Sequence, residues 1–221
     1  MGTYLVTGAN RGIGLEYCRQ IKERGDKAIA VCRSSSSELD ELEIQVETGV
    51  DITSASSVQT LAEKLKNTPI DVLINNAAIV ERISLETLDF ESIRRQFEVN
   101  AIGTLRFTVA MLPNLAANAK VIIMTSRMGS IEDNTSGGSY GYRMSKVAVS
   151  MAGKSLAIDL KPKGISVAIL HPGLVQTRMT NFTPNGITTQ TSVEGLLARI
   201  DELNLENTGS FWHANGEILP W

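Results

Sequence analysis

The sequence predicts a doubly wound α/β fold, a parallel sheet of about seven strands with helices on both faces. Three observations predict it. Short strands, apolar at nearly every position, alternate with amphipathic helical stretches from end to end. A glycine-rich turn stands at the first strand–helix junction. No linker or composition shift divides the 221 residues, so 1–221 is expected to form one domain with a large core.

The elements follow in order. The strand at 3–7 runs into glycines, and the helix at 13–24 stops at Gly25, a suitable C-cap. A strand at 28–31 precedes the serine run 34–37, which reads as a loop. A strand at 46–50 leads to a helix at 54–66, with Thr53 as N-cap and Pro69 beyond its end. A strand at 72–75 is followed by a long helix at 90–112 that stops at Pro113. A strand at 121–125 precedes the helix at 142–161, ended by Pro162 and Gly164. Next come a strand at 166–170, a segment at 176–191 with little periodicity that reads as a mobile loop, a helix at 192–203 and a strand at 210–213.

Composition narrows the function. A net charge of -3 without runs of like charge argues against nucleic acid or an anionic membrane as partner. No apolar run is long enough to span a bilayer, and the start has no basic segment followed by a long apolar run, so a cytoplasmic protein is expected. Cys18 and Cys32 read as reduced core thiols. His171 and His213 lack metal-ligand spacing and are expected to be structural, so no metal is expected.

The turn from Thr7 to Gly14 reads TGANRGIG. Gly8, Gly12 and Gly14 let the chain turn sharply and bring backbone N–H groups of Asn10, Arg11 and Ile13 towards a pyrophosphate at a helix N-terminus. The second strand then ends Val-Cys-Arg-Ser, with no carboxylate to hold a ribose 2′-hydroxyl. Arg33 and Arg11 suit a 2′-phosphate instead, with Ser34 as a hydroxyl donor, so NADP(H) is the expected cofactor.

Of the four tyrosines only Tyr142 has a lysine, Lys146, four residues later, on the same face of a helix. A nearby ammonium is expected to lower the phenol's pKa and make it a better proton shuttle. Ser126, at the end of the fifth strand, sits where an open α/β sheet binds its ligand and can steady a developing oxyanion.

Together these motifs resemble the short-chain dehydrogenase/reductase family, built on a Rossmann-type domain. The matching pieces are TGANRGIG at 7–14, Asp51, NNAA at 75–78, Asn100, Ser126, YRMSK at 142–146 and HPGLVQT at 171–177. The resemblance implies Tyr142 as general acid/base, with Lys146 lowering its pKa and holding the nicotinamide ribose. It implies Ser126 for the substrate carbonyl and Asn100 for a water linking Lys146 to solvent. It places Asp51 and Ile52 at the adenine and lets Asn76, Ala77 and Ala78 border the cofactor. Pro172, Gly173, Val175 and Thr177 would line the nicotinamide end. Asn100 falls inside the expected helix 90–112, where a functional kink would suit it.

Two features depart from the family pattern. NNAA stands where NNAG is usual, and Ser126 lies sixteen residues before Tyr142, a longer spacing than usual. Ser130 is nearer the usual count, but Ser126 ends the strand directly and is preferred. SGGSYGYRMSK and ILHPGLVQT look most like the branch of C-factor and sniffer-type carbonyl reductases.

The expected activity is reduction of an aldehyde, ketone or quinone with NADPH. One alternative is a cofactor-binding signalling or sensor protein with little turnover. Another is a 3-oxoacyl reductase, which wants a basic docking patch; Arg127, Arg143 and Arg178 are its candidates. Met128, Met179, Phe182 and the loop at 181–190 are expected to shape the substrate pocket. Small residues along helix 142–161 and the helix 90–112 suggest a two-fold, four-helix contact, hence a homodimer or a tetramer of dimers. Phe211, Trp212 and Trp221 are expected to add apolar surface to a lone subunit.

Overall fold

The computed structural model describes residues 1–221. Seven parallel strands form one sheet in the order β3-β2-β1-β4-β5-β6-β7. They are β1 (Thr3–Thr7), β2 (Lys27–Val31), β3 (Gln45–Glu47), β4 (Ile70–Asn75), β5 (Leu115–Met124), β6 (Ser166–His171) and β7 (Phe211–His213). The sheet grows outward in both directions from the β1–β4 pair, so a crevice opens at their carboxyl ends.

Alternate strand residues feed two cores, as a sheet buried on both faces requires. Leu5, Ile29, Leu73, Ile123 and Ile169 point to one layer, with α3 (Ala55–Lys64), α5 (Thr104–Met111) and α6 (Tyr140–Leu160). Val6, Ala30, Ile74, Ile122 and Leu170 point to the other, with α1 (Gly12–Glu23), the short α2 (Ser37–Asp40) and α7 (Thr189–Glu202).

Several boundaries differ from the sequence reading. The serine run leads into α2, where the Ser36 side chain caps the helix by accepting from the Leu39 N–H. Ser54, not Thr53, caps α3. The expected helix 90–112 is not continuous: α4 (Phe90–Phe97) and α5 are separated by a π-helical turn, Glu98–Gly103. The segment 176–191 is clipped rather than loose. Val175 pairs with Ile187, and Arg178–Thr180 forms one 3₁₀ turn. Phe211 and Trp212 are buried within the subunit, so only Trp221, packed on Phe211 at 5.3 Å, adds to the surface.

Candidate active site

The glycine-rich turn is bound to the neighbouring strand end by side chains of both motifs. The Thr7 hydroxyl accepts from the N–H groups of Asn76 and Ala77, both at 3.0 Å. The Asn76 amide donates to the carbonyls of Thr7 (3.0 Å) and Gly8 (3.3 Å). A Cβ on Gly14 would stand 2.2 Å from the Gly8 carbonyl, so only glycine lets α1 start this close to the turn.

The start of α1 suits an anion. No side chain caps it, its first turn holds no acidic residue, and its N-cap is Arg11. Arg33 and Ser34 stand exposed after β2, and the first carboxylate to follow them is Glu38 in α2. The residues present therefore fit a dinucleotide that carries an extra phosphate. Asp51 is held below the usual carboxylate range by the hydroxyl and N–H of Thr53, helped by Arg33 and Arg106. Buried Ile52 lies beside it.

At the other end of the crevice α6 carries Tyr142 and Lys146, both buried, one turn apart. The Lys146 Nζ lies 5.7 Å from the centre of the Tyr142 ring and donates to the Met124 carbonyl at 2.9 Å. Ser126 caps the 3₁₀ turn Arg127–Gly129, and that turn lies directly on α6. A Cβ on Gly129 would come within 2.9 Å of Lys146 backbone. Burial pushes the Tyr142 phenol up to about 12, while the Ser126 hydroxyl beside it works the other way by hydrogen bonding. Burial pushes Lys146 down to about 8. The expected lowering of Tyr142 by Lys146 is thus not found: burial raises the phenol, the one opposing cause is the Ser126 hydroxyl, and Lys146 is itself turned to a backbone carbonyl.

Asn100 sits in the π-turn, buried. Its amide accepts from the Ile79 N–H (2.8 Å) and donates to the Ile79 carbonyl (2.9 Å) and to the Ser145 hydroxyl (3.0 Å). Ser145 in turn donates to the Tyr142 carbonyl at 2.8 Å. The Asn100 side chain is thus bound to protein at both ends.

After β6, Pro172 accepts from the Ser192 hydroxyl, Val175 is buried and Thr177 caps the 3₁₀ turn of the segment 176–191, a strap clipped by the Val175–Ile187 pair. The Thr177 methyl stands 3.5 Å from where a Cβ on Gly12 would be. The strap therefore begins against the glycine-rich turn.

The sequence pattern of the short chain dehydrogenase family matches residues 3–187. A dehydrogenase of Rhodococcus sp. (strain AD45), named for 1-hydroxy-2-glutathionyl-2-methyl-3-butene, is 42% identical over 226 residues, covering 100% of both chains. The chain belongs to the short-chain dehydrogenase family. C-signal of Myxococcus xanthus is 46% identical to this family member over 156 residues, 69% of this chain and 93% of that one. An NADPH-bound carbonyl reductase from chicken fatty liver superposes with a TM-score of 0.92 at 27% identity, covering 100% of this chain and 99% of the other. The carbonyl reductase Sniffer of D. melanogaster superposes with a TM-score of 0.91 at 27% identity, covering 100% of both. The family's chemistry makes the protein an oxidoreductase, and no helix is long and apolar enough to cross a membrane.

Against that family pattern, the structure adds residues that motif reading missed. Gln96 is fully buried and clamps Glu81 as Asn100 clamps Ile79, accepting from its N–H (3.0 Å) and donating to its carbonyl (3.1 Å). The four-residue spacing of the two amides on one helix was the available signal. Ser130, the alternative to Ser126, is buried and spends its hydroxyl accepting from the Asp133 N–H. Met128 lines a cavity of about 190 Å³ with Ile131, Tyr140 and Met144; Met179 and Phe182 do not line it and stand exposed on the strap. The basic docking patch does not assemble. Arg127 pairs with Asp133 and Glu217, and Arg143 donates to Gly137 and Ser136. The histidines pack edge to face at 5.0 Å, and burial pushes His171 down to about 3.

Proposed function

We propose that this chain is an NADPH-dependent carbonyl reductase, one cofactor-binding domain over 1–221, with Tyr142 as proton donor. The observation that carries the reading is the meeting of Ser126, Tyr142 and Lys146 at the carboxyl edge of the sheet. The crevice opens at the carboxyl ends of β1 and β4, and β1 runs into the uncapped glycine-rich turn. When bound, the reduced nicotinamide supplies a hydride to the substrate's carbonyl carbon. The chain's own residues then manage the oxygen. Ser126 donates a hydrogen bond to it as negative charge develops. Tyr142, which keeps its proton across the physiological range, gives that proton to the more basic alkoxide, and charged Lys146 steadies the phenolate left behind. Arg11, Arg33 and Ser34 hold the 2′-phosphate end. NADPH-bound carbonyl reductase as a structural neighbour supports the choice of cofactor and reaction.

The test is NADPH oxidation with a panel of aldehydes, ketones and quinones. A glutathione-conjugated alcohol with NADP⁺ belongs in it, because the Rhodococcus relative is named for such a substrate. Tyr142→Phe is expected to lose at least ~10²-fold in turnover while keeping cofactor affinity. Near-normal turnover in that variant would overturn the role of Tyr142. The 46% identity to C-signal favours a second reading, a cofactor-dependent signalling protein. Tight NADPH binding with no turnover on any substrate would decide for it.

A further inference from the structure

Ser126 stands just beyond the sheet. On the sheet side, the Thr125 N–H donates to the Leu170 carbonyl at 2.8 Å. Past that bond the chain is held by its own turn: the Gly129 N–H donates to the Ser126 carbonyl (2.7 Å) and the Ser130 N–H to the Arg127 carbonyl (2.9 Å). The Ser126 Oγ accepts from the Met128 N–H at 3.1 Å, which leaves its own proton for a substrate oxygen. These bonds fix the shape of the turn but not its place in the molecule. Gly129, seated against the backbone of Lys146, anchors one end of it. The Arg127 side chain anchors the other.

The Arg127 guanidinium holds two carboxylates. Its Nε lies 2.9 Å from Asp133 Oδ2, and its Nη2 donates to Glu217 Oε1 at 2.7 Å. The two atoms of the first pair are shut off from water and meet by charge rather than as an aligned hydrogen bond. Asp133 belongs to the loop before α6, where its N–H donates to the Ser130 hydroxyl. Glu217 belongs to the hairpin that returns along β7: its carbonyl accepts from the His213 N–H at 2.9 Å, and Ile218 pairs with Trp212. β6 lies between β5 and β7, so the Arg127–Glu217 pair spans about 10 Å across the carboxyl end of β6. At that end His213 packs edge to face on His171, and a Cβ on Gly173 would stand 3.4 Å from His213 Nε2. One guanidinium thus ties the serine turn to the strand end that leads into Pro172 and Gly173.

We infer that Arg127 is a positioning residue for Ser126: it pins the serine turn to the carboxyl ends of β6 and β7 and so sets where the hydroxyl stands relative to Pro172 and Gly173. This rests on the carbonyl-reductase reading above, which puts Ser126 at the substrate oxygen. Ion pairs that water can reach contribute little to stability. Here the contribution is to geometry, because a hydrogen-bond donor displaced by ~1 Å no longer meets the charge that develops on the oxygen.

A double-mutant cycle tests this. Arg127→Gln, Ser126→Ala and the two combined are assayed for carbonyl reduction, titrated with NADPH and followed by amide hydrogen exchange over residues 126–134. Ser126→Ala is expected to lose ~10²-fold in kcat. Arg127→Gln is expected to lose about tenfold in kcat, with faster exchange over 126–134 and NADPH affinity within about twofold of wild type. Arg127→Lys keeps a charge for one carboxylate and should recover part of the loss. In the Ser126→Ala background Arg127→Gln should cost less than about twofold, since no hydroxyl is left to misplace. Should Arg127→Gln not fold, Glu217→Gln, a change at an exposed position outside the turn, runs through the same cycle and decides by the same criterion. Equal losses in both backgrounds mark a merely structural role and overturn the inference. Wild-type kcat in Arg127→Gln or in Ser126→Ala, or wild-type exchange in Arg127→Gln, overturns it as well, and each of these leaves the cofactor and the reaction standing. Wild type that turns over no carbonyl overturns the reductase reading and this inference with it.

Discussion

Burial acts on Tyr142 and Lys146 in opposite senses, raising the phenol to about 12 and lowering the ammonium to about 8. Around neutrality both groups therefore carry their protons, the state a proton donor and its charged helper need for carbonyl reduction. The pair loses that state from the lysine side first. We predict that kcat/KM for NADPH in carbonyl reduction falls above about pH 8 with the slope of a single proton, while Tyr142 stays protonated across the range. Unfolding does not mimic this. Between about 8 and the ordinary lysine value of 10.5 the unfolded chain binds the Lys146 proton more tightly than the folded one. This group therefore makes stability rise with pH in that window, while activity falls. A pH–rate profile beside a pH series of urea midpoints separates the two. Activity flat to pH 10 would tell against charged Lys146 as the helper.

At the scale of elements, the strands and the residues at their carboxyl ends were legible because both-face burial writes continuous apolar runs and the ligand site of such a sheet lies at those ends. The turn at Gly8–Gly14 and the pair Tyr142–Lys146 were legible for the same reason. The break between α4 and α5 was less so. Asn100 stood out as a poor helix former at mid-helix, but a π-turn leaves the helical periodicity of Phe97, Ala101 and Thr104 nearly intact. Gln96 left only its four-residue spacing from Asn100 as a signal, since its role depends on where the extended segment after β4 lies. Together the two amides act like a strand edge towards Ile79 and Glu81, each pairing with one residue's N–H and carbonyl. Replacing Gln96 by Leu keeps the volume and strands both polar groups of Glu81. We predict a loss of ~2 kcal/mol or more, seen as a drop of several degrees in Tm. Gln96→Glu should recover part of this at acid pH, where a protonated carboxyl both accepts and donates like the amide. A Tm unchanged in Gln96→Leu would show that water replaces the clamp without cost.

At the scale of the whole molecule the two helical layers are unequal. α1 and α7 expose no large apolar side chain. The opposite layer exposes Ile102, Leu105 and Val109 along the π-turn and α5, and Met144, Met151 and Ile158 along α6. The last three recur every seven residues, so they form one stripe down the helix, with small Ala148 and Ser155 between them. An apolar stripe of this length on one layer only is surplus to the subunit's own core and suits the same stripe on a second copy, related by a two-fold axis. The inward face of α6, with Tyr142 and Lys146, is untouched by such a contact, so each crevice stays open. We predict a homodimer, or a tetramer of such dimers, in analytical ultracentrifugation at micromolar concentration. Met151→Glu and Leu105→Glu place charges on the stripe without touching the core, since both positions are exposed in one subunit. Each is expected to shift the protein to monomer with cofactor affinity retained, whereas substituting Leu205, an exposed leucine away from both helices, is expected to leave the assembly alone. Wild type that sediments as a clean monomer while fully active would refute the assembly and leave the stripe as bare surface.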